Sequence, residues 1–251
     1  MVNHVEARPL GAAAPVRFLK LIWGTAATIL SVLYTVAIAP TAAALAALGM
    51  HRSVSTLSRL WGWLIILTCG IKVEIEGLEH LRGLKSYVLV TNHQSFFDIF
   101  AILAYMPGDT RFVAKKELLR IPFIGYTLRK NQHIVIDRQR GGKSIRRALE
   151  AARNNYPICV FAEGHRFSDN RVHEFSEGAA WLAIATRVPC VPMAIMGSAA
   201  FFPREAKVVV PGSRMRMKIC PPIPAEGADR AELTRTLEET VRAAFDPAWH
   251  A

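Results

Sequence analysis

No charged residue interrupts the chain from Leu21 to Met50, and Pro40 alone breaks the apolar run. Leu21–Ala39 is long enough to span the hydrocarbon core of a bilayer. Trp23 near its start, with Arg17 and Lys20 just before it, has the placement of an interfacial anchor. Arg52 and Arg59 follow, so positive charge lies on both sides of the stretch. That symmetry fits a hairpin that enters one leaflet and turns back near Pro40 better than a single span. A secretory signal cleaved among the small residues Ala42–Ala47 is the competing reading. A second charge-free piece, Leu60–Ile71, contains Trp61 and Trp63 and is too short to span, so it reads as an interfacial or re-entrant helix. The pattern divides the chain into a leader (1–17), a membrane-anchoring helical segment (18–70) and a folded domain (71–251).

From Lys72 the pattern changes to short apolar and β-branched runs alternating with helical stretches. Strands are expected at Lys72–Ile75, Tyr87–Val90, Arg111–Ala114, Ile134–Ile136, Ile158–Phe161, Cys190–Ile195 and Met215–Ile219, with Lys207–Val210 as a further edge. Helices are expected at 95–106, 143–154 and 176–187. A further helix begins after Asp229, where Asp229 and Glu232 make a cap signature and Leu233, Leu237 and Val241 recur every four residues. This alternation predicts an α/β fold: a mixed, largely parallel twisted sheet flanked by helices.

Composition narrows the partners. Hydrophobic residues make up 51% of the 251 and the formal net charge is +11, while the mean hydropathy is +0.21. An apolar, basic chain suits membrane lipid and phosphorylated substrates. Zinc-finger and RNP signatures are absent and the basic residues do not form one block, so nucleic acid is not an expected partner. Cys69, Cys159, Cys190 and Cys220 stand singly among apolar neighbours, which predicts buried thiols rather than a metal site or disulfides.

The candidate chemistry sits at strand exits. His93 follows the run Tyr87–Val90, and Asp98 comes five residues later at the start of a helix. A carboxylate beside an imidazole fixes its tautomer and raises its basicity, as a general base requires. Ser95 with Asp98 also fits a helix-capping signature, so both readings of Asp98 stand. Arg138 lies just past Ile134–Ile136, and Glu163, Gly164 and Arg166 lie just past Ile158–Phe161. Guanidinium groups at such positions can grip phosphate through paired hydrogen bonds. Gly142-Lys143-Ser144 lacks the first glycine of a phosphate-binding loop, His173-Glu174 lacks the second histidine of a zincin helix, and no G-x-S-x-G elbow exists.

Taken together these motifs resemble those of the 1-acyl-glycerol-3-phosphate acyltransferases, over about residues 72–220. Asn92, His93 and Asp98 match the family's Asn-His-x4-Asp. Lys115-Lys116-Glu117-Leu118 and Ile121–Gly125 resemble its Lys-x-Glu-Leu and Pro-x-x-Gly stretch. Ile136-Asp137-Arg138 matches the second motif, Phe161–Ser168 the third, and Val191–Ile195 the fourth. The resemblance implies that His93 deprotonates the hydroxyl of a lysolipid acceptor, which attacks an acyl thioester. The donor would be acyl-CoA or acyl-carrier protein, with no cofactor, metal or covalent acyl-enzyme. It also implies that Asp98 orients His93, that Arg138, Glu163, Gly164 and Arg166 bind the glycerol-phosphate part of the acceptor, and that Asn92 and Lys115 support them. The product would be phosphatidic acid, made at the cytoplasmic face of the cell membrane. Ala162, His165 and Glu177 replace the family's usual proline, threonine and lysine. The first substitution is expected to loosen the backbone entering the third motif, and together they leave room for another lysolipid acceptor. A non-catalytic lipid-binding protein of the same fold would have no need of His93. Oligomeric state is not legible.

Overall fold

A computed structural model of the chain describes residues 14–136, 141–203 and 206–249. Its centre is a seven-stranded sheet formed by β1 (Lys72–Glu76), β2 (Val88–Thr91), β3 (Arg111–Lys115), β4 (Ile134–Ile136), β5 (Ile158–Phe161), β6 (Cys190–Met196) and β7 (Arg214–Ile219). The strand order is β1-β7-β6-β2-β5-β3-β4. Strands β2 to β6 are mutually parallel; β7 runs antiparallel to β6 and carries β1 alongside it in its own direction. The expected mixed, largely parallel sheet is the sheet observed.

Parallel strands covered on both faces need apolar side chains on both faces, and so read as unbroken apolar runs. In β2, Leu89 enters one core while Val88 and Val90 enter the other; in β6, Val191, Met193 and Ile195 oppose Cys190, Ala194 and Met196. The first face is covered by α2 (His51–Thr68) and α3 (Phe97–Tyr105), the second by α5 (Gly141–Arg153), α6 (Gly178–Thr186) and α8 (Arg230–Ala244). The short helices α4 (Ile124–Lys130) and α7 (Ser198–Phe201) both lay beyond the expectations from sequence. Asp229 caps α8, its side chain accepting from Glu232 N at 2.9 Å, as the sequence signature requires. Lys207–Val210 is not a strand: Val209 N donates to Thr28 Oγ1 and Val210 N to Phe201 O, which ties the segment down as a loop.

The first helix, α1 (Ala14–Ala47), is 34 residues long and continues through Pro40. The chain reverses at Leu48–Met50, where Gly49 adopts φ +73°, rather than near Pro40. Among the described residues α1 alone is long and apolar enough to cross a membrane by length and composition. Its hydroxyls bond back to carbonyls four residues earlier, Thr25 to Leu21, Thr28 to Gly24 and Ser31 to Ala27, which satisfies them without water. Phe18, Leu19, Ile29 and Leu33 project outward. On the inner side Trp23 Nε1 donates to Thr68 O and Trp61 Nε1 to Thr35 Oγ1, fastening α1 to α2.

Helix α2 begins nine residues before the charge-free piece that announced it, because its first half is amphipathic. Val54, Gly62, Ile65 and Ile66 are buried, and Ile65 and Ile66 belong to the same core as Leu89 and Met193. Gly62 lets α2 and α3 approach closely: a Cβ there would lie 2.6 Å from Phe100 O. An alanine in a helix interior ordinarily gains about 1 kcal/mol over glycine. Here the clash reverses the sign, so Gly62→Ala should destabilise the fold by about 1–3 kcal/mol, read as a lowered thermal midpoint; a raised midpoint would contradict this packing.

Candidate active site

The site forms where β2 runs out. Thr91 is buried at the strand's end. The Asn92 carboxamide then bonds across to β6, donating to Ile195 O at 2.9 Å and accepting from Ile195 N at 2.8 Å. This side chain replaces a rung of the sheet and pins the point from which the next residue departs.

That residue, His93, lays its ring on Phe161 at the end of β5, with centroids 3.8 Å apart and planes 20° from parallel. Its Nδ1 lies 2.8 Å from Asp98 Oδ2; the His93 side chain is 14% exposed and that of Asp98 is fully buried. The same oxygen accepts from Gln94 N at 2.8 Å and Ser95 N at 2.9 Å. An ionised carboxylate accepting three bonds selects the tautomer with the proton on Nδ1 and leaves the Nε2 lone pair for chemistry. Asp98 sits in the first turn of α3, where the helix dipole favours its charge. Its bond to Ser95 N is the reaching-back half of a capping box, so the capping and orienting readings of Asp98 meet in one oxygen atom.

The loop after β5 laces onto this one. Ala162 N donates to Thr91 O at 3.0 Å, adding a bond beyond the last β5–β2 pair. A proline could not make it, so alanine tightens the entry to the third motif instead of loosening it. Glu163 is buried, its Oε2 accepting from His93 N and its Oε1 from His173 N, each at 2.8 Å. Gly164 turns the chain at φ +67° with open space around its Cα. Arg166 places its guanidinium 3.9 Å over the ring of Phe96. Phe167 N donates to His93 O at 2.9 Å and Ser168 Oγ to Gln94 O at 3.1 Å.

The other anticipated residues are spread around this centre. Lys115 ends β3, exposed, in register with Ile136 of β4; Arg138 lies outside the described residues. His165 is exposed, with its ring 6.4 Å from that of Phe167. Glu177, at the start of α6, pairs with Arg230 of α8 at 2.6 Å, so its charge is engaged between two helices. Sequence reasoning did not anticipate Phe161 as the platform under His93, nor an apolar cavity of about 280 Å³ between α1, α2 and α3. Val36, Ile65, Phe96, Phe97, Phe100 and Phe202 are among the residues lining it. The paired aromatics beside His93 were the visible signal.

Residues 72–196 match a family model described as Acyltransferase. The chain carries an acyltransferase domain. Over 162 residues it is 33% identical to the 1-acyl-sn-glycerol-3-phosphate acyltransferase alpha of Ovis aries, covering 63% of this chain and 56% of that protein. Over 141 residues it is 36% identical to the 1-acyl-sn-glycerol-3-phosphate acyltransferase of Limnanthes alba, covering 55% and 50%. The chain thus spans about half the length of these curated relatives. The crystal structure of the 1-acyl-sn-glycerophosphate (LPA) acyltransferase PlsC from Thermotoga maritima shares the fold, with a TM-score of 0.77 at 24% identity over 90% of this chain and 96% of that one. His93, Asp98, Glu163 and Arg166 all fall inside the acyltransferase domain.

Within this domain burial pushes the Glu163 carboxyl from 4.5 up to about 7, against the pull of its two backbone donors. A carboxyl raised in this way holds its proton more tightly in the folded chain than in the unfolded one. The stability it contributes is present below pH 4.5 and is lost as pH rises towards 7. The thermal midpoint of Glu163→Gln should therefore vary less across that window than that of the unaltered protein; equal slopes would contradict the burial assigned to this group.

Proposed function

We propose that this protein is a membrane-bound O-acyltransferase that moves a fatty acyl group from a thioester to the free hydroxyl of 1-acyl-glycerol-3-phosphate. The observation that carries the reading is the His93–Asp98 pair at 2.8 Å, at the carboxyl end of β2 beside an apolar cavity. In this reading Nε2 of His93 takes the proton of the acceptor hydroxyl as its oxygen attacks the thioester carbonyl carbon. Collapse of the tetrahedral adduct breaks the carbon–sulfur bond, and the departing thiolate takes the proton back from the imidazolium. The thiol leaves, the ester remains, and His93 returns to its starting tautomer. Asp98 balances the positive charge that His93 carries between the two proton transfers.

Each end of the acceptor finds suitable chemistry. The Arg166 guanidinium, held on Phe96, suits the phosphate, as the guanidinium of Arg138 would by its chemistry. The apolar cavity, of which Phe96 is part of the wall, suits an acyl chain. Phe96 would thus stand between the charged and apolar halves of a lipid. The outward apolar side chains of α1 suit a bilayer leaflet, and we place the enzyme at the cytoplasmic face of the cell membrane, where acyl-CoA or acyl-carrier protein can reach it. The exposed His165 within the third motif is where another head group would be read.

The test is thiol release from an acyl thioester by detergent-solubilised protein against a panel of lysolipids. Turnover should be greatest with lysophosphatidic acid and vanish in His93→Ala, and Asp98→Asn should lower kcat by on the order of 10²–10⁴-fold. Undiminished turnover in His93→Ala would overturn the mechanism, and preference for a phosphate-free acceptor would overturn the substrate.

A further inference from the structure

The backbone of His93 belongs to no helix and no strand, yet it is half-buried and its polar groups need partners. Its N–H donates to Glu163 Oε2 and its C=O accepts from Phe167 N, so both peptide groups are held by the loop after β5. The second oxygen of Glu163 reaches across to His173 N. The His173 ring stacks on Phe167 with centroids 3.8 Å apart, and its Nε2 is bonded to Asp169. The contacts close a ring: His93 to Glu163, Glu163 to His173, His173 to Phe167, and Phe167 back to His93. From this geometry, and resting on the acyltransferase reading above, we infer that Glu163 is a positioning residue that sets the backbone of the base, and not a contact to the acceptor.

The chemistry of the carboxylate favours that assignment. Glu163 is 8% exposed and spends one oxygen on each of two donors from separate loops. An acceptor hydroxyl would have to reach a buried carboxyl that already holds two bonds of 2.8 Å. Asp98 and Glu163 thereby share the work of aiming the base. Asp98 fixes the rotation of the imidazole, and Glu163 fixes the peptide from which it hangs. Loss of either bond frees a short loop to shift, and reacting atoms moved by about 1 Å cost on the order of 10²-fold in rate.

Glu163→Gln separates the two roles. Glutamine keeps the length and shape, but its carbonyl serves one N–H while its amide presents hydrogens to the other. The inference expects kcat to fall roughly 10- to 100-fold with KM for lysophosphatidic acid unchanged. A raised acceptor KM with kcat retained would overturn it and return Glu163 to the binding site. Single-residue amide hydrogen exchange supplies a readout that needs no turnover. In the unaltered protein the His93 and His173 amides should both be protected, and in Glu163→Gln at least one should exchange faster. Rapid exchange at both positions in the unaltered protein would overturn the clamp even if the variant fails to fold. Should the unaltered protein turn over no lysolipid, the acyltransferase reading fails while the exchange data still judge the clamp.

Discussion

A single carboxylate oxygen, Asp98 Oδ2, collects bonds from the His93 ring and from the Gln94 and Ser95 amides. Three donors on one buried acceptor suit a carboxylate, and the start of α3 is where a helix best tolerates negative charge. The rest of the structure serves this arrangement. The parallel sheet brings the ends of β2 and β5 side by side, Asn92 ties the first to β6, and Phe161 supplies the surface against which the ring lies flat. Helix α3 can begin where it does because α2 covers it, with Gly62 allowing the approach. The N-terminal helices and the polar site are therefore parts of one packing solution, joined through the core that contains Ile65, Ile66, Phe97 and Leu89.

Much of this was legible in the chain. Doubly covered strands such as β2 and β6 announce themselves as apolar runs, β1 and β7 as alternations of charged and apolar residues, and all seven appear close to their expected positions. His93, Asp98, Glu163, Gly164 and Arg166 stood out because polar residues directly after such runs fall at the carboxyl ends of the strands. Their partners were harder to read. Glu163 advertises negative charge, and nothing in its neighbours says that this charge turns inward to two backbone amides. Asn92 looks like part of the chemistry and spends its amide on Ile195. Ala162 reads as a missing proline, yet what matters is the N–H that it regains.

The N-terminal half shows the opposite kind of difficulty. Pro40 reads as a breaker, but a proline inside a long helix removes one hydrogen bond and bends the axis without ending it. The reversal falls instead at Gly49, whose positive φ suits a residue without a side chain. Helix α2 was half hidden because its first two turns mix Arg52, Ser53 and Ser55 with Val54, and a search for uncharged windows passes over such a pattern. A hydrophobic stretch states how much apolar surface a segment has. It does not state which part stays outward and which part meets the protein's own sheet, and here one helix hairpin does both.

The central claim is that Asp98 holds His93 with the proton on Nδ1 and the lone pair on Nε2. Long-range 1H–15N spectra of protein labelled in its histidine rings, with His93 assigned by its loss in His93→Gln, test this most directly. The account predicts a neutral ring protonated at Nδ1 that redistributes towards the other tautomer in Asp98→Asn. A His93 ring protonated at Nε2 in the unaltered protein, or one indifferent to Asp98→Asn, would contradict it.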